Sequence, residues 1–203
     1  MKKVIILGAT GTFGTALTAK LLQETDCKLT LFARHIQDKM QNSERVNVIS
    51  GDATNKAALQ TALQGQDIVY CAISGEQLPE VAQNLVELLP VYDIQRLLFM
   101  GAVGIYNEIP VELDDEDNVR NNPEQVPNRR AVDIVETSTL AYTVLRPGYL
   151  QAGAEDDFVL TFKGEQAKGY ISTLASVVKF AVRLINDDNL YVRKRVSITK
   201  NMV

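Results

Sequence analysis

The 203-residue chain has one histidine, two cysteines and no excess of basic residues, and these shortages exclude several classes of function. A single histidine, His35, cannot build a multi-histidine metal centre, and it makes a nucleophile triad a poor interpretation. Cys27 and Cys71 lie inside apolar runs, and neither has a neighbour at metal-ligand spacing. We therefore expect no metal site, rank hydrolases and metalloenzymes low, and expect a reducing cytoplasm as the location.

Charge and hydropathy argue against two classes of partner. The formal net charge of -4 leaves no basic excess for the backbone of a nucleic acid, so no nucleic-acid partner is expected. No apolar run approaches the roughly 18 residues that read as a membrane-spanning helix, so no membrane partner is expected. The apolar stretch Val4–Leu7 follows two lysines, but Gly8 interrupts it too early for a signal peptide. We expect a soluble monomer or homodimer.

Short β-rich runs alternate with segments of helical period along almost the whole chain. Several of the runs are continuously apolar, which is typical of strands covered by helices on both faces. The pattern predicts an α/β fold, a doubly wound and mostly parallel sheet in three layers, as one domain over residues 1–203. The predicted strands are Lys3–Leu7, Lys28–Phe32, Val46–Ser50, Ile68–Ala72, Arg96–Met100, Tyr142–Arg146 and a weaker Val196–Thr199. The predicted helices are Phe13–Gln23, Lys56–Leu63, Leu78–Leu89, Pro127–Thr137 and Leu174–Ile185.

A glycine-rich loop between the first strand and the first helix is the most informative motif. Gly8 permits a tight turn, Gly11 lets the backbone approach a pyrophosphate, and Gly14 lets the helix pack close to the sheet. Backbone N–H groups at the start of the helix would then point at the anion from the positive end of the helix dipole. The motif predicts a Rossmann fold that binds a nicotinamide dinucleotide. Its predicted phosphate-contacting residues are Gly8, Thr10, Gly11, Thr12, Phe13 and Gly14.

The residues after the second strand bear on the choice of cofactor. A carboxylate there would bind the ribose 2′-hydroxyl of NAD, but the chain has Phe32-Ala33-Arg34-His35 and no acid until Asp38. The guanidinium of Arg34 suits a 2′-phosphate and can also stack on the adenine. We therefore expect NADP, with NAD as the alternative if Arg34 is merely solvated.

Four segments together resemble the atypical and extended short-chain dehydrogenases/reductases, in particular the NmrA-like and epimerase/dehydratase-like members. The segments are the glycine loop, Gly51-Asp52-Ala53-Thr54, Met100–Tyr106 and Leu145–Leu150. The resemblance implies three groups of cofactor contacts. They are Asp52 and Ala53 beside the adenine, Ala72, Ile73 and Ser74 along the ribose and nicotinamide, and Pro147 and Gly148 bordering the nicotinamide. Without the resemblance, Asp52 reads as a turn residue or helix cap, with Asn55 as the competing cap.

The chain departs from that superfamily at its catalytic residues. Catalytic members carry a serine after strand five and a Tyr-x-x-x-Lys pair on the next helix, where the lysine lowers the pKa of the tyrosine. Here Val126 and Arg130 stand at the tyrosine and lysine positions, and Ala102 stands in the serine region. Arg130 could still bind the nicotinamide ribose. Tyr106 is the nearest candidate for a replacement acid, with a packing role as the alternative.

Two functions fit this pattern. One is an NADPH-dependent oxidoreductase that delivers hydride to a small electrophilic or flavin-like acceptor. The other is a non-catalytic NAD(P) sensor, as NmrA-like proteins are thought to be. A small substrate-side region is expected within residues 151–190, where the acidic Glu155-Asp156-Asp157 cluster would disfavour anionic substrates if it faced inward. The polar segment Glu112–Gln125 is expected to be a surface loop, either solvated or contacting the substrate.

Overall fold

Strands and helices alternate in the predicted order in a computed structural model that describes residues 1–113 and 115–203. Asp114, part of the polar segment Glu112–Gln125, lies outside the described residues. The described strands are β1 Lys3–Leu7, β2 Lys28–Ala33, β3 Val46–Ser50, β4 Ile68–Cys71, β5 Arg96–Met100, β6 Tyr142–Pro147, β7 Tyr149–Gln151, β8 Val159–Phe162, β9 Ile171–Thr173 and β10 Lys194–Thr199. The described α-helices are α1 Thr12–Glu24, α2 Lys56–Leu63, α3 Leu78–Leu88, α4 Val126–Thr137 and α5 Leu174–Asn186. Short 3-10 turns occupy Ile36–Asp38, Val111–Leu113, Asp115–Asp117 and Pro123–Gln125.

The main sheet has the strand order β3-β2-β1-β4-β5-β6-β10-β8. All neighbouring pairs are parallel except the last, in which β8 runs antiparallel to β10. The chain winds outward in one direction from β1 through β2 and β3, and in the other direction from β4 onward. This order confirms the predicted doubly wound, mostly parallel α/β fold. It opens a crevice at the carboxyl ends of β1 and β4, where the winding direction changes.

Alternate residues of β1 enter two separate hydrophobic cores. Val4 and Ile6 pack in the core that α1 and α5 cover, whereas Ile5 and Leu7 pack in the core that α2, α3 and α4 cover. All four side chains are fully buried. Because side chains alternate between the faces of a strand, a sheet covered on both sides needs an uninterrupted apolar run. This requirement explains the composition of β1 and gives the fold its three layers.

The sequence did not predict three short strands that lie between residues 149 and 173. Among the described residues, β7 and β9 pair only with each other, over three positions, and β8 adds to the edge of the main sheet beside β10. Strands of three or four residues carry too little alternation to be distinguished from loop. They fold here because Ser172 and Ser197 provide buried hydrogen bonds that link the segments, including Ser172 Oγ to the Ile198 carbonyl at 2.5 Å.

Within the described residues, no helix has the length and hydropathy needed to cross a bilayer.

Candidate functional site

A cleft of about 720 Å³ opens at the carboxyl ends of β1, β2, β3 and β4. It is formed where the strand order reverses, the position at which doubly wound sheets bind ligands. Segments from four separate parts of the sequence meet there. Of the residues predicted to bind the cofactor, its lining includes Gly8, Thr10, Gly11, Arg34, Asp52, Ala53, Ala72, Ile73 and Ser74.

The three glycines of the first loop differ in what a side chain at each position would contact. Gly8 has a φ of +83°, and a Cβ there would lie 2.9 Å from the carbonyl oxygen of Ala72. A Cβ on Gly14 would lie 2.4 Å from the carbonyl oxygen of Gly8, so no side chain fits between helix and turn. Gly11 has an ordinary φ of -72°, and its Cβ would meet nothing closer than 3.4 Å. The protein therefore has room for a side chain at Gly11, and the space there is open to a ligand.

The first turn of α1 is arranged to bind an anion. Helix α1 begins at Thr12, and its N-cap residue Gly11 offers no side chain to accept the first N–H groups. The buried ring of Phe13 stacks on Tyr70 with 5.4 Å between ring centroids, which fixes this end of the helix against β4. Uncapped N–H groups at a helix N-terminus, beside a position without a Cβ, fit the diphosphate of a dinucleotide.

Basic side chains gather at the end of the cleft next to β2. Arg34, His35 and Lys39 all line the cavity and are exposed to solvent. His35 adopts a left-handed conformation with a φ of +51°, and the 3-10 turn that follows brings Lys39 back to the cleft. Ile36 is fully buried and anchors this turn to the core. The sequence did not predict Lys39 because four residues, with a left-handed turn among them, separate it from Arg34.

The loop after β3 presents Asp52 to the cleft and leaves helix capping to another residue. Asn55 accepts the backbone N–H three residues on at 3.1 Å and caps α2. Asp52 instead accepts the N–H and the hydroxyl of Thr54, at 3.0 and 2.9 Å, and these bonds, aided by the charge of Arg34, lower the pKa of its carboxyl. The buried Asn84 donates to the carbonyls of residues 53 and 54 at 3.2 and 3.0 Å, which holds the loop in place.

A second cavity of about 260 Å³ lies at the carboxyl ends of β5 and β6. Pro147 and Gly148, predicted to border the nicotinamide, form part of its wall. Their backbone is fixed, since the Pro147 carbonyl accepts the N–H of Val103 at 2.9 Å and the Gly148 N–H donates to Ser172 Oγ at 2.8 Å. The remaining lining residues are Ala102, Val103, Asp117, Asn122, Glu124, Gln125, Asn128 and Tyr149.

The described part of the polar segment Glu112–Gln125 is folded against the body of the protein. Asn118 is fully buried and bonds both the N–H and the carbonyl of Ile109, at 3.1 and 2.8 Å. The N–H of Val119 donates to the carbonyl of Gly104 at 3.0 Å. These bonds hold the segment so that Asp117, Asn122, Glu124 and Gln125 line the second cavity, which favours the substrate-contacting interpretation over a solvated loop. Glu112 itself is exposed and lines neither cavity.

The structure does not bring Tyr106 to the cleft. Its hydroxyl donates to Glu136, and its ring lies within 5 Å of the cationic groups of Arg129, Arg146 and Lys163. Burial, and then the hydrogen bond to Glu136, raise the pKa of the Tyr106 hydroxyl far above its usual value. Tyr106 lines neither cavity, because this network of charged partners holds its half-buried ring elsewhere. The geometry gives it the packing role that was the alternative prediction.

Arg130 lines neither cavity. Helix α4 presents Asn128 to the second cavity and buries Ala131 and Val132 against the sheet. Arg130 follows Asn128 by two residues, and side chains two positions apart on a helix face different directions. Arg130 is exposed, and its contact with the nicotinamide ribose stays a prediction.

The acidic cluster Glu155-Asp156-Asp157 does not line either cavity. Glu155 forms ion pairs with Lys20 and Lys179, at 3.2 and 2.6 Å. Asp156 accepts hydrogen bonds from hydroxyls at the start of α5 and pairs with Lys200 at 2.9 Å. Repulsion of anionic substrates by this cluster required it to face inward, and the cluster does not face either cavity.

Comparison with known protein sequences identifies the family of this chain. The sequence pattern of NAD(P)H-binding proteins matches residues 8–188, nearly the whole chain. The chain belongs to the NAD(P)H-binding family. No curated protein sequence matches it.

Solved structures similar to this chain agree with the assignment. A wide-type short-chain dehydrogenase/reductase from Veillonella parvula, in complex with NADP, is 27% identical with a TM-score of 0.89, covering 99% of this chain and 95% of its own. A Rossmann-fold NAD(P)-binding protein from Shigella flexneri is 32% identical with a TM-score of 0.85, covering 100% and 95%. The predicted relationship to atypical short-chain dehydrogenases/reductases is confirmed. An anaerobillin reductase from Escherichia coli O157:H7, 18% identical with a TM-score of 0.84 over 100% and 98% of the two chains, shares the fold.

Proposed function

We propose that this NAD(P)H-binding protein is an NADPH-dependent oxidoreductase that acts on a small acceptor. The observation that carries the choice of NADPH is the basic group of Arg34, His35 and Lys39 at the β2 end of the cleft. A 2′-phosphate is the feature that distinguishes NADP from NAD, and guanidinium and ammonium groups bind it. The bound NADP in the Veillonella relative supports the proposal.

Each part of the cleft has a separate task in binding. The uncapped first turn of α1 and the bare backbone of Gly11 hold the diphosphate. Asn84 fixes the loop that carries Asp52, which would lie beside the adenosine, and Pro147 with Gly148 would border the nicotinamide. Bound NADPH supplies a hydride, and a proton completes the reduction of the acceptor.

The chain has no Tyr-x-x-x-Lys pair to supply that proton. Helix α4 and the turn before it present the amides of Asn128 and Gln125 to the second cavity instead. Amides orient a ligand and donate hydrogen bonds, but they do not release protons. In this proposal water supplies the proton, and the protein positions the acceptor beside the cofactor.

Cofactor affinity tests the choice of NADPH directly. Dissociation constants for NADPH and NADH are measured by nicotinamide fluorescence on the wild type and on Arg34→Ala and Lys39→Ala variants. We expect the wild type to prefer NADPH, and each variant to lose about tenfold in NADPH affinity with little change for NADH, about 1.4 kcal/mol for one charge-assisted contact. Arg183→Ala, which removes an exposed arginine on α5, is the matched control. Equal affinity of the wild type for both cofactors would refute the proposal of NADP.

Turnover separates catalysis from sensing. The missing Tyr-x-x-x-Lys pair favours a non-catalytic NAD(P) sensor of NmrA type as the second candidate. The protein is incubated with NADPH and a panel of quinones, flavins and carbonyl compounds, and the nicotinamide absorbance is followed. Loss of absorbance that depends on the acceptor supports the oxidoreductase. Tight NADPH binding without turnover of any acceptor would leave the sensor as the function.

A further inference from the structure

The described lining of the second cavity carries negative charge without a compensating cation. Asp117 and Glu124 are its charged residues, and no lysine, arginine or histidine stands among the described residues that line it. Asp117 accepts a hydrogen bond from the Asn122 amide at 3.2 Å. The ion pairs of the described residues involve neither carboxylate. An anion entering this cavity would meet uncompensated charge of its own sign, whereas an uncharged molecule would not.

A pair of amides equips the same cavity to bind a carbonyl oxygen. The side-chain N–H of Asn128 donates to the side-chain carbonyl oxygen of Gln125, Oε1, at 2.9 Å. This bond occupies the acceptor end of the Gln125 amide and orients its donor end, Nε2, which has no partner among the described residues. Both residues line the cavity. A free amide donor binds an oxygen of a ligand, and the bond strengthens if that oxygen gains negative charge on reduction.

An exposed aromatic ring stands at the mouth of the cavity. Tyr149 lines the cavity while 65% of its surface is accessible, and among the described residues it is the one aromatic side chain in the exposed large hydrophobic set. Its backbone is held in β7, where its N–H donates to the Tyr170 carbonyl at 2.6 Å. A ring on a fixed strand offers a flat face on which a planar ligand can stack.

From these three features we propose that the second cavity binds an uncharged, planar carbonyl compound and discriminates against anionic ones. Gln125 binds the carbonyl oxygen, Tyr149 stacks on the ring, and Asp117 with Glu124 repels negative charge. The inference rests on the proposed function, because it names the class of acceptor that would meet the nicotinamide at the second cavity.

Two naphthoquinones that differ in charge test the inference. Binding of 2-methyl-1,4-naphthoquinone and of 1,4-naphthoquinone-2-sulfonate is measured by equilibrium dialysis on the whole protein saturated with NADP⁺, which cannot reduce them. Cys27 and Cys71 are both buried, so they are protected from reaction with the quinones. We expect the neutral quinone to bind at least tenfold more tightly at low salt, and the difference to narrow at high salt because Glu124 is exposed.

Variants assign the discrimination to the named side chains. The double variant Asp117→Asn/Glu124→Gln is expected to bind the sulfonate about tenfold more tightly than the wild type and the neutral quinone unchanged. Glu116→Gln neutralises an exposed acid of the same segment that does not line the cavity, and it should change neither affinity. Gln125→Ala should weaken the neutral quinone about tenfold. Tyr149→Ala should do the same, and Tyr149→Phe should restore binding because it keeps the ring.

The outcomes distinguish this inference from the proposed function. A protein that fails to bind NADP⁺ would overturn both. With NADP⁺ bound, three results would overturn the inference alone: sulfonate binding as tight as that of the neutral quinone, no binding of either quinone, or no effect of neutralising Asp117 and Glu124. Turnover of other acceptors in the absorbance assay would then still support an oxidoreductase.

Discussion

Replacing Gly11 and Gly14 separately should divide cofactor binding from folding, although both glycines belong to one loop. At Gly14 a Cβ would lie 2.4 Å from the carbonyl oxygen of Gly8 and 2.8 Å from the Cα of Ala9. Both neighbours are backbone atoms, so neither can move without shifting β1 or α1. At Gly11 the nearest atom is 3.4 Å away and φ is -72°, so alanine fits without strain.

The magnitudes follow from these contacts. Overpacking typically costs about 1–3 kcal/mol, and backbone neighbours place Gly14→Ala at the upper end, so about 2 kcal/mol remains after the gain of about 1 kcal/mol in helix propensity. For a chain of this size that loss lowers Tm by about 4–8 °C. Gly11→Ala costs only about 0.5 kcal/mol as a poorer N-cap residue, or about 1–2 °C. Its methyl group, however, fills the space beside the uncapped N–H groups, so we expect NADPH affinity to fall at least tenfold.

Two measurements on the same samples test this separation. Thermal unfolding without ligand gives the change in Tm, and fluorescence titration with NADPH at 25 °C gives the dissociation constant. We expect Gly11→Ala to be nearly as stable as the wild type but to bind poorly, and Gly14→Ala to be clearly destabilised. A folded Gly11→Ala variant that binds NADPH as tightly as the wild type would refute the assignment of this loop to the diphosphate.

Other side chains give sharp expectations of the same kind. Glu108→Gln should destabilise the protein by about 3–5 kcal/mol in urea unfolding, because it leaves the buried guanidinium of Arg146 without its counter-charge; a loss below 1 kcal/mol would contradict this. Asn84→Ala should weaken NADPH binding several-fold and lower Tm, since it releases the loop beside the adenosine; unchanged affinity would show that the loop holds itself. The ammonium of Lys200 lowers the pKa of Asp156 to about 2 from 3.8, so the stability it contributes is present above pH 4 and is lost as pH falls through about 2. Asp156→Asn should therefore flatten the dependence of unfolding on pH between 4 and 2, and a profile identical to the wild type would refute the role of this carboxyl.

Features set by neighbouring residues could be predicted from the sequence. The strand, the glycine loop and the start of α1 follow one another within 14 residues, and each glycine is constrained by its own turn or by the adjacent strand. The alternation of apolar runs and helical periods likewise predicted the order of the main elements. Short strands such as Tyr149–Gln151 were missed because three residues carry no period, and their partner strand lies about 20 residues on in the sequence.

Partners distant in sequence determined the remainder of the site. The hydroxyl of Tyr106 is held outside the cleft by a hydrogen bond to Glu136, 30 residues on in the sequence. Asn118 fixes the polar segment through hydrogen bonds to the backbone of Ile109. Only the left-handed turn at His35 brings Lys39 back to the basic group. Local sequence thus determined that the chain would form a dinucleotide fold, because its turns and periods depend on near neighbours. Tertiary structure alone decided which side chains face the acceptor, because burial and charge pairing join residues that the sequence keeps far apart.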